Sequence, residues 1–422
     1  MIRKKILAVQ ILTLVIVLSL SLGLYACGGA SPSPTPAAAA GPKATSAPQT
    51  AAPVAAPAKL TGKPIKVGYM TPLSGRMVAN GLLQQVAVQL AVEDINAAGG
   101  INGNPLEVVT FDSPFDPQQA VTGVRKLIEQ DKVFAVLGPY ASGEVEAAGP
   151  IANQLQTPLI ASSASKSSIF PQNRPWVFGF LAPDEVGIPV AIDGYKKVYP
   201  NAKRMVITGD TKESVTENAI RNIFPKALKE KGFDVIDTVP YETGTTDFSA
   251  IVTKIKGLNP DGVVVCDVSA PGIAKELERQ QVKAPVVTGF WIQPTPFLAT
   301  VGSAGEGWVG VRVINVEDPD PTLQKFLARY NERVKAGNIK IDQLSLEAGA
   351  YDALMRIAEI MRANNITADS SLQQARTTIR DGIASLKNWK GLYTNISMTE
   401  SGQVTFQTYA HVAKNGKWQL IK

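Results

Sequence analysis

Ile65-Lys66-Val67-Gly68-Tyr69-Met70 is followed, beyond Gly81, by Leu83, Val86, Leu90, Ala91 and Ile95 and then by Gly99-Gly100, and this stretch decides the architecture. The first six residues form a short β-branched run that reads as a strand. The apolar positions after Gly81 recur on one face of a helix, and the glycine pair closes it. Residues 106–111 return to a strand pattern. Asp116-Pro117 then supplies an N-cap with proline at the first helical position, and Ala120, Val124, Leu127 and Ile128 continue that helix. Residues 133–138, 149–156 and 158–161 repeat the order strand, helix, strand. Such alternation predicts parallel strands joined by helical crossovers.

Further along, the rhythm restarts. Strand patterns at 204–208, 233–239, 262–266 and 285–289 alternate with helical ones near 217–231, 248–256 and 272–280. The apolar run 176–181 lies between the two sets and can carry the chain from one to the other. Beyond 307–313 come helical faces at Leu323, Phe326, Leu327 and Tyr330, then at Ala350, Leu354, Ile357, Ala358 and Met361. The chain finishes on alternating residues over 403–421 around the turn Asn415-Gly416. The expected class is α/β with two Rossmann-like lobes of mostly parallel sheet. The length left after the N-terminal region exceeds what one core usually holds, which also favours two domains.

Arg3, Lys4 and Lys5 precede the apolar run 6–22, and Leu24-Tyr25-Ala26-Cys27 follows it. This reads as a lipoprotein signal peptide over 1–26, with Cys27 receiving a lipid and becoming the new N-terminus. Residues 28–62 hold almost only Ala, Pro, Ser, Thr and Gly, with Lys43 and Lys59 as the only charges. Such a tract cannot offset its chain entropy by burial, so 27–62 is expected to be a disordered tether reaching at most roughly 100 Å. The formal charge is +6, and half of it leaves with the three leader cations. No basic block remains, which argues against nucleic-acid binding. Of the two cysteines, Cys266 ends an apolar run and reads as a buried small hydrophobe, so no intrachain disulfide is expected.

Catalytic and metal chemistry find little support. Ser163-Ala164-Ser165-Lys166 has S-x-x-K spacing but lacks the accompanying elements of that mechanism. His411 is the only histidine, so neither a histidine triad nor a histidine metal cluster can be assembled. No enzyme activity, metal or cofactor is therefore expected. Small hydroxyl residues do gather at the carboxyl ends of predicted strands: Ser74 after the first, Ser142 after 133–138, and Ser162, Ser163 and Ser165 after 158–161. In open α/β sheets the ligand crevice lies there, where hydroxyls and helix N-terminal amides converge on an anion.

On several stretches the chain resembles the solute-binding proteins of branched-chain amino acid ABC importers, the type I periplasmic-binding-protein family. These include 65–75, Ala91-Val92-Glu93-Asp94-Ile95-Asn96-Ala97-Ala98-Gly99-Gly100-Ile101-Asn102-Gly103, Asp116-Pro117-Gln118-Gln119-Ala120, Gly244-Thr245-Thr246-Asp247-Phe248, Leu258-Asn259-Pro260-Asp261-Gly262 and Asn415-Gly416-Lys417-Trp418. The resemblance runs from about Lys63 to the C-terminus. It implies a three-crossover hinge, with 63–182 plus 314–395 as one lobe and 183–313 plus 396–422 as the other. It also implies a small-molecule ligand held between closing lobes, and permease and ATPase subunits as partners.

In that family the loop matching Ser142 contacts the ligand carboxylate, and the loop matching Ser163, Ala164 and Ser165 contacts carboxylate and ammonium. Three positions depart from the pattern. Asn80 stands where an aromatic wall is expected, Glu213-Ser214 where Tyr-Gly is expected, and Phe290 or Trp291 where the acid facing the ligand ammonium is expected. A buried ammonium needs a partner, so either Glu213 or Asp267 supplies one or the ligand has none. Tyr140 and Trp291 suit an apolar or aromatic side chain. The expected function is a lipid-anchored, monomeric carrier on the outer face of a bacterial cell membrane that binds a small carboxylate, an amino acid first. The alternative is a ligand sensor of the same fold without a transporter.

Overall fold

The computed structural model describes residues 60–422 apart from Ser269, residues 293–295 and Asp342. The leader, Cys27 and nearly all of the tether lie outside the described residues.

Five parallel strands form the first sheet: β1 (Ile65–Thr71), β2 (Leu106–Asp112), β3 (Val136–Leu137), β4 (Leu159–Ala161) and β5 (Val177–Gly179), in the order β2-β1-β3-β4-β5. The strand order reverses between β1 and β3, which places a crevice beyond their carboxyl ends. Helices α1 (Val78–Ala97), α2 (Pro117–Arg125), α3 (Ser142–Gln154) and the short α4 (Ile169–Gln172) connect these strands. Asp116 caps α2 through its side chain, accepting from the amides of Gln118 and Gln119, with Pro117 at the first helical position as expected. Helix α3 begins at Ser142, seven residues before the sequence pattern predicts. Its interior Pro150 masks the continuity of the helix in the sequence.

The chain crosses to a second lobe after β5 and enters α5 (Asp184–Val198). There follow β6 (Arg204–Asp210), α6 (Ser214–Asn218), α7 (Phe224–Glu230), β7 (Asp234–Tyr241), α8 (Ser249–Gly257), β8 (Gly262–Cys266), α9 (Pro271–Arg279), β9 (Val286–Thr288), α10 (Phe297–Val301) and β10 (Val309–Arg312). It then returns to the first lobe as α11 (Pro321–Ala336), α12 (Glu347–Ala363) and α13 (Leu372–Ala384), where α11 and α12 pack on α1. A hairpin of β11 (Ser397–Met398) and β12 (Val404–Thr405) follows, and Gln403 bridges Gly179 of β5. The last crossing leads to β13 (Tyr409–Lys414) and β14 (Lys417–Leu420), which complete a seven-stranded sheet of order β14-β13-β10-β9-β8-β6-β7. The third crossing thus falls after Thr405 rather than at 396, because the hairpin is held on the first sheet.

Every residue of β8 is buried. A strand covered by helices on both faces reads as a continuous apolar run, and Gly262-Val263-Val264-Val265-Cys266 is one. Cys266 is a free thiol inside this core, and burial pushes its pKa up, which keeps it protonated and inert.

Candidate functional site

Between the lobes lies a small cavity in which the centre of a water molecule is confined to about 30 Å³. That is well below the ~300 Å³ at which ligand pockets start, so a solute enters only when the lobes part. Tyr140, Ser142, Ser163, Ser165, Glu213 and Trp291 all line it, together with Met77, Phe115, Val215, Val268, Phe290 and Leu346. Six of the nine residues expected at the site are therefore brought together.

The other three stand elsewhere. Ser74 is exposed at the start of the turn before α1 and makes no side-chain capping bond. Ala164 is wholly buried behind the lining, and its carbonyl accepts from Gln403 Nε2 at 3.4 Å. Asp267 lines a neighbouring cavity, where it accepts from the Tyr241 hydroxyl at 2.7 Å.

The first lobe presents its half of the lining on three loops at strand ends. Gly138 turns the chain at the end of β3 with φ 98°, and a Cβ there would stand 2.2 Å from the Met70 carbonyl oxygen, so only glycine fits. That turn delivers Tyr140, Ala141 and Ser142, placing Ser142 in the first turn of α3, where helix amides and the dipole favour an anion. Glu144 fixes the same turn. It accepts from Ala141 N at 3.1 Å, Asp116 N at 3.2 Å and Ser113 Oγ at 2.6 Å, while burial pushes its pKa up to about 7.

Gln84 of α1 fixes the loop after β4. Its Nε2 donates to Ser162 Oγ at 3.1 Å and Ser163 Oγ at 2.8 Å, and its Oε1 accepts from Tyr69 and Thr71 hydroxyls, each at 3.1 Å. Asn80, in place of an aromatic wall, donates to the Tyr140 hydroxyl at 3.3 Å. No sequence motif marked Gln84, because its partners lie on β1 and on the loop after β4 and are brought to it only by the fold.

Two sets of contacts hold the lobes together at the rim. Arg76 donates to Glu213 Oε2 at 3.0 Å and stacks over Phe115 at 4.9 Å from the ring centroid. Lys166 Nζ donates to Glu146 Oε1 at 2.5 Å and to Ser214 Oγ at 2.7 Å, and Ser214 in turn donates to Glu146 Oε2 at 2.6 Å. Lys166 therefore bridges the lobes rather than activating Ser163, which disposes of the S-x-x-K reading.

Behind Ser165 lies Asp184, the first residue of α5 and wholly buried. Neither of its carboxylate oxygens has a hydrogen-bond partner among the described residues, and burial pushes its pKa up to about 8 despite the adjacent Ser165 hydroxyl. Phe290 and Trp291 form the second-lobe wall. The indole Nε1 of Trp291 is buried without a partner among the described residues. Among the described residues no group of His, Cys, Asp or Glu is arranged to hold a metal.

The family model described as "Periplasmic binding protein" matches residues 64–417. The chain belongs to the periplasmic binding protein family. Its members are solute-binding proteins rather than enzymes. This periplasmic binding protein is 24% identical over 369 residues to the Leu/Ile/Val-binding protein BraC3 of Rhizobium johnstonii, a match taking in 86% of this chain and 94% of that one. Against several other curated relatives the match spans only about half of their length.

Among solved structures it is similar to the branched-chain amino acid transporter substrate-binding protein LivJ from Streptococcus pneumoniae in complex with isoleucine. The TM-score is 0.72 at 25% identity, covering 84% of this chain and 97% of the other. It is also similar to a solute-binding protein of an ABC transporter from R. palustris in complex with 4-hydroxybenzoate, with TM-score 0.73 at 20% identity over 85% and 95% of the two chains. At that identity the second likeness speaks for the fold alone. The two-lobed α/β architecture of this periplasmic binding protein is thus the one expected from its βα rhythm.

Proposed function

We propose that this protein is a lipid-anchored carrier on the extracytoplasmic face of the cell membrane that captures a small carboxylate-bearing solute, an amino acid first, and passes it to the permease and ATPase subunits of an ABC importer. It acts as a monomer in this reading. One observation carries the proposal: the interlobe cavity joins hydroxyls at the first turn of α3 and the end of β4 to a wall of aromatic and aliphatic side chains. Hydroxyls and helix amides suit a carboxylate, and the wall suits a compact apolar side chain. The division into 63–182 plus 314–395 and 183–313 plus 396–422, with its third boundary moved to about 406, makes the connections after β5, β10 and β12 the hinge.

Ligand access requires the lobes to part, because Tyr140, Ser142 and Trp291 are all buried in the closed arrangement. Calorimetric titration of the full-length protein in detergent with leucine, glutamate, benzoate and short amides tests the reading. For the carboxylate that binds, Ser142→Ala is expected to cost roughly 1 to 3 kcal/mol, the loss of a donor to a charged acceptor. Unchanged affinity would reduce Ser142 to a structural residue of α3. For the anchor, Cys27→Ser should move the protein from the membrane to the soluble fraction on cell fractionation. Retention in the membrane would remove lipidation from the proposal.

A further inference from the structure

The second-lobe wall of the cavity carries a hydrogen-bond donor without an acceptor. Trp291 lines the cavity just after β9, at the place where the family resemblance implies an acid, and is only 5% exposed. A Cβ on Gly289 would stand 2.5 to 2.8 Å from Cη2, Cζ3 and Cζ2 of its ring, so the outer edge of the six-membered ring lies against the end of β9 where a larger residue would displace it. Phe224 meets the indole edge-on, with ring centroids 6.4 Å apart. These contacts fix the ring and turn its pyrrole edge, which carries Nε1, away from β9.

Trp291 Nε1 is buried and has no partner among the described residues. An indole N–H can only donate, and a buried donor left unpaired is costly. The oxygens that share the lining are engaged elsewhere. Tyr140 accepts from Asn80, Ser142 from the Lys166 amide, Ser163 from Gln84 and Glu213 from Arg76. The two walls therefore call for two acceptors. Ser142 and the first turn of α3 suit a carboxylate on the first-lobe side, and Trp291 suits a lone pair on the second-lobe side. An ammonium, itself only a donor, cannot fill that place.

We infer that Trp291, through its indole N–H, is a specificity-determining residue that makes this cavity favour bifunctional solutes, with an oxygen acceptor a few bonds from the carboxylate, over solutes of the same shape whose far end is hydrocarbon. The choice is made on closure, because Ser142 and Trp291 belong to different lobes. A solute that offers a carboxylate alone leaves the indole unpaired as the lobes meet, and the site rejects it for that reason rather than for its size. The inference rests on the proposal that the cavity captures a carboxylate-bearing solute.

The test is calorimetry on the full-length protein in detergent with two pairs of nearly equal shape, 4-oxopentanoate against 4-methylpentanoate and asparagine against leucine. In the wild type the oxygen-bearing member of at least one pair should bind about tenfold or more tighter than its partner. Trp291→Phe keeps an aromatic wall but removes the N–H. It should bring that pair to within about threefold by weakening the oxygen-bearing member alone. In protein carrying ¹⁵N-labelled tryptophan, the indole resonance that Trp291→Phe removes should move downfield with the oxygen-bearing member and not with the other. A wild type that binds the hydrocarbon member of both pairs as tightly or more tightly overturns the inference and leaves carboxylate capture standing. So does a variant that keeps the wild-type preference or weakens both members by the same factor, which would mark Trp291 as an apolar wall alone. A wild type that binds no member of either pair overturns the inference, and carboxylate capture falls with it if glutamate and benzoate also fail to bind.

Discussion

Gly143→Leu is expected to lower ligand affinity on the order of a hundredfold while leaving the free protein at least as heat-stable as the wild type. A Cβ at Gly143 would stand 3.7 Å from Ser214 Cβ and 3.9 Å from Glu213 Oε1, ordinary contacts that an alanine satisfies. The further carbons of leucine would crowd Glu213 and Ser214 at the start of α6. They act as a wedge between the lobes, at a position where replacing a helical glycine by leucine otherwise stabilises the helix by up to about 1 kcal/mol. The graded series Gly143→Ala, then Gly143→Leu, separates the two effects. Small-angle scattering should show compaction on ligand addition for the wild type and Gly143→Ala but none for Gly143→Leu. Equal affinity across the series would mean that these faces do not meet in the bound state.

The second large effect concerns pH. Burial raises the Asp184 carboxyl to about 8, far above its ordinary range, so the folded protein keeps a proton there that the unfolded chain has already lost. Between those two values folding takes up a proton, and stability falls as pH rises until the raised value is passed. Each pH unit within that window is worth about 1.4 kcal/mol for a single group. Asp184→Asn removes this titration while keeping shape and neutrality. Relative to wild type, the variant should therefore gain about 4 kcal/mol of unfolding free energy between about pH 5 and about pH 8.5, measured by denaturant titration.

Glu144, Glu347 and Asp352, each pushed up to about 7 by burial, add slopes of the same sign in both proteins. His411, pushed down to about 3, works on the other side: it is neutral when folded, so stability falls as pH drops below its ordinary value. Parallel pH profiles for wild type and Asp184→Asn would show that Asp184 is ionised in the folded protein and has found a partner.

Much of the fold was legible because burial writes itself into local pattern. Strand β8 is apolar throughout because helices cover both of its faces, and Asp116-Pro117 announces α2 because a cap needs both residues at fixed spacing. The start of α3 was not legible, since Pro150 reads as a break while the interior of a well-packed helix accommodates it. Nor was the place of β11 and β12, whose attachment to the first lobe depends on Gln403 meeting Gly179 more than 200 residues away.

At the site, the serines at strand ends could be named because the geometry of open sheets sends ligands there. Asp267 could not be placed from sequence, because whether a strand-end acid faces the cavity or turns to Tyr241 is decided by which hydroxyl reaches it. Arg76, Gln84 and Asp184 left no signal. Each matters through partners brought near by tertiary folding, not through its neighbours in the chain.

Gln84 has a kinetic consequence. One buried amide is saturated by four hydroxyls from β1 and the loop after β4, so the first-lobe half of the cavity stays assembled whether or not the second lobe is present. A solute can then dock on that half while the other is swung away, and the arrival of Glu213 and Trp291 afterwards determines how long it stays. Changes around Ser142 and Gln84 should alter the association rate, whereas changes at Glu213 or Trp291 should alter residence time, the more variable quantity among related complexes. The two lobes would thus divide the work of catching and keeping.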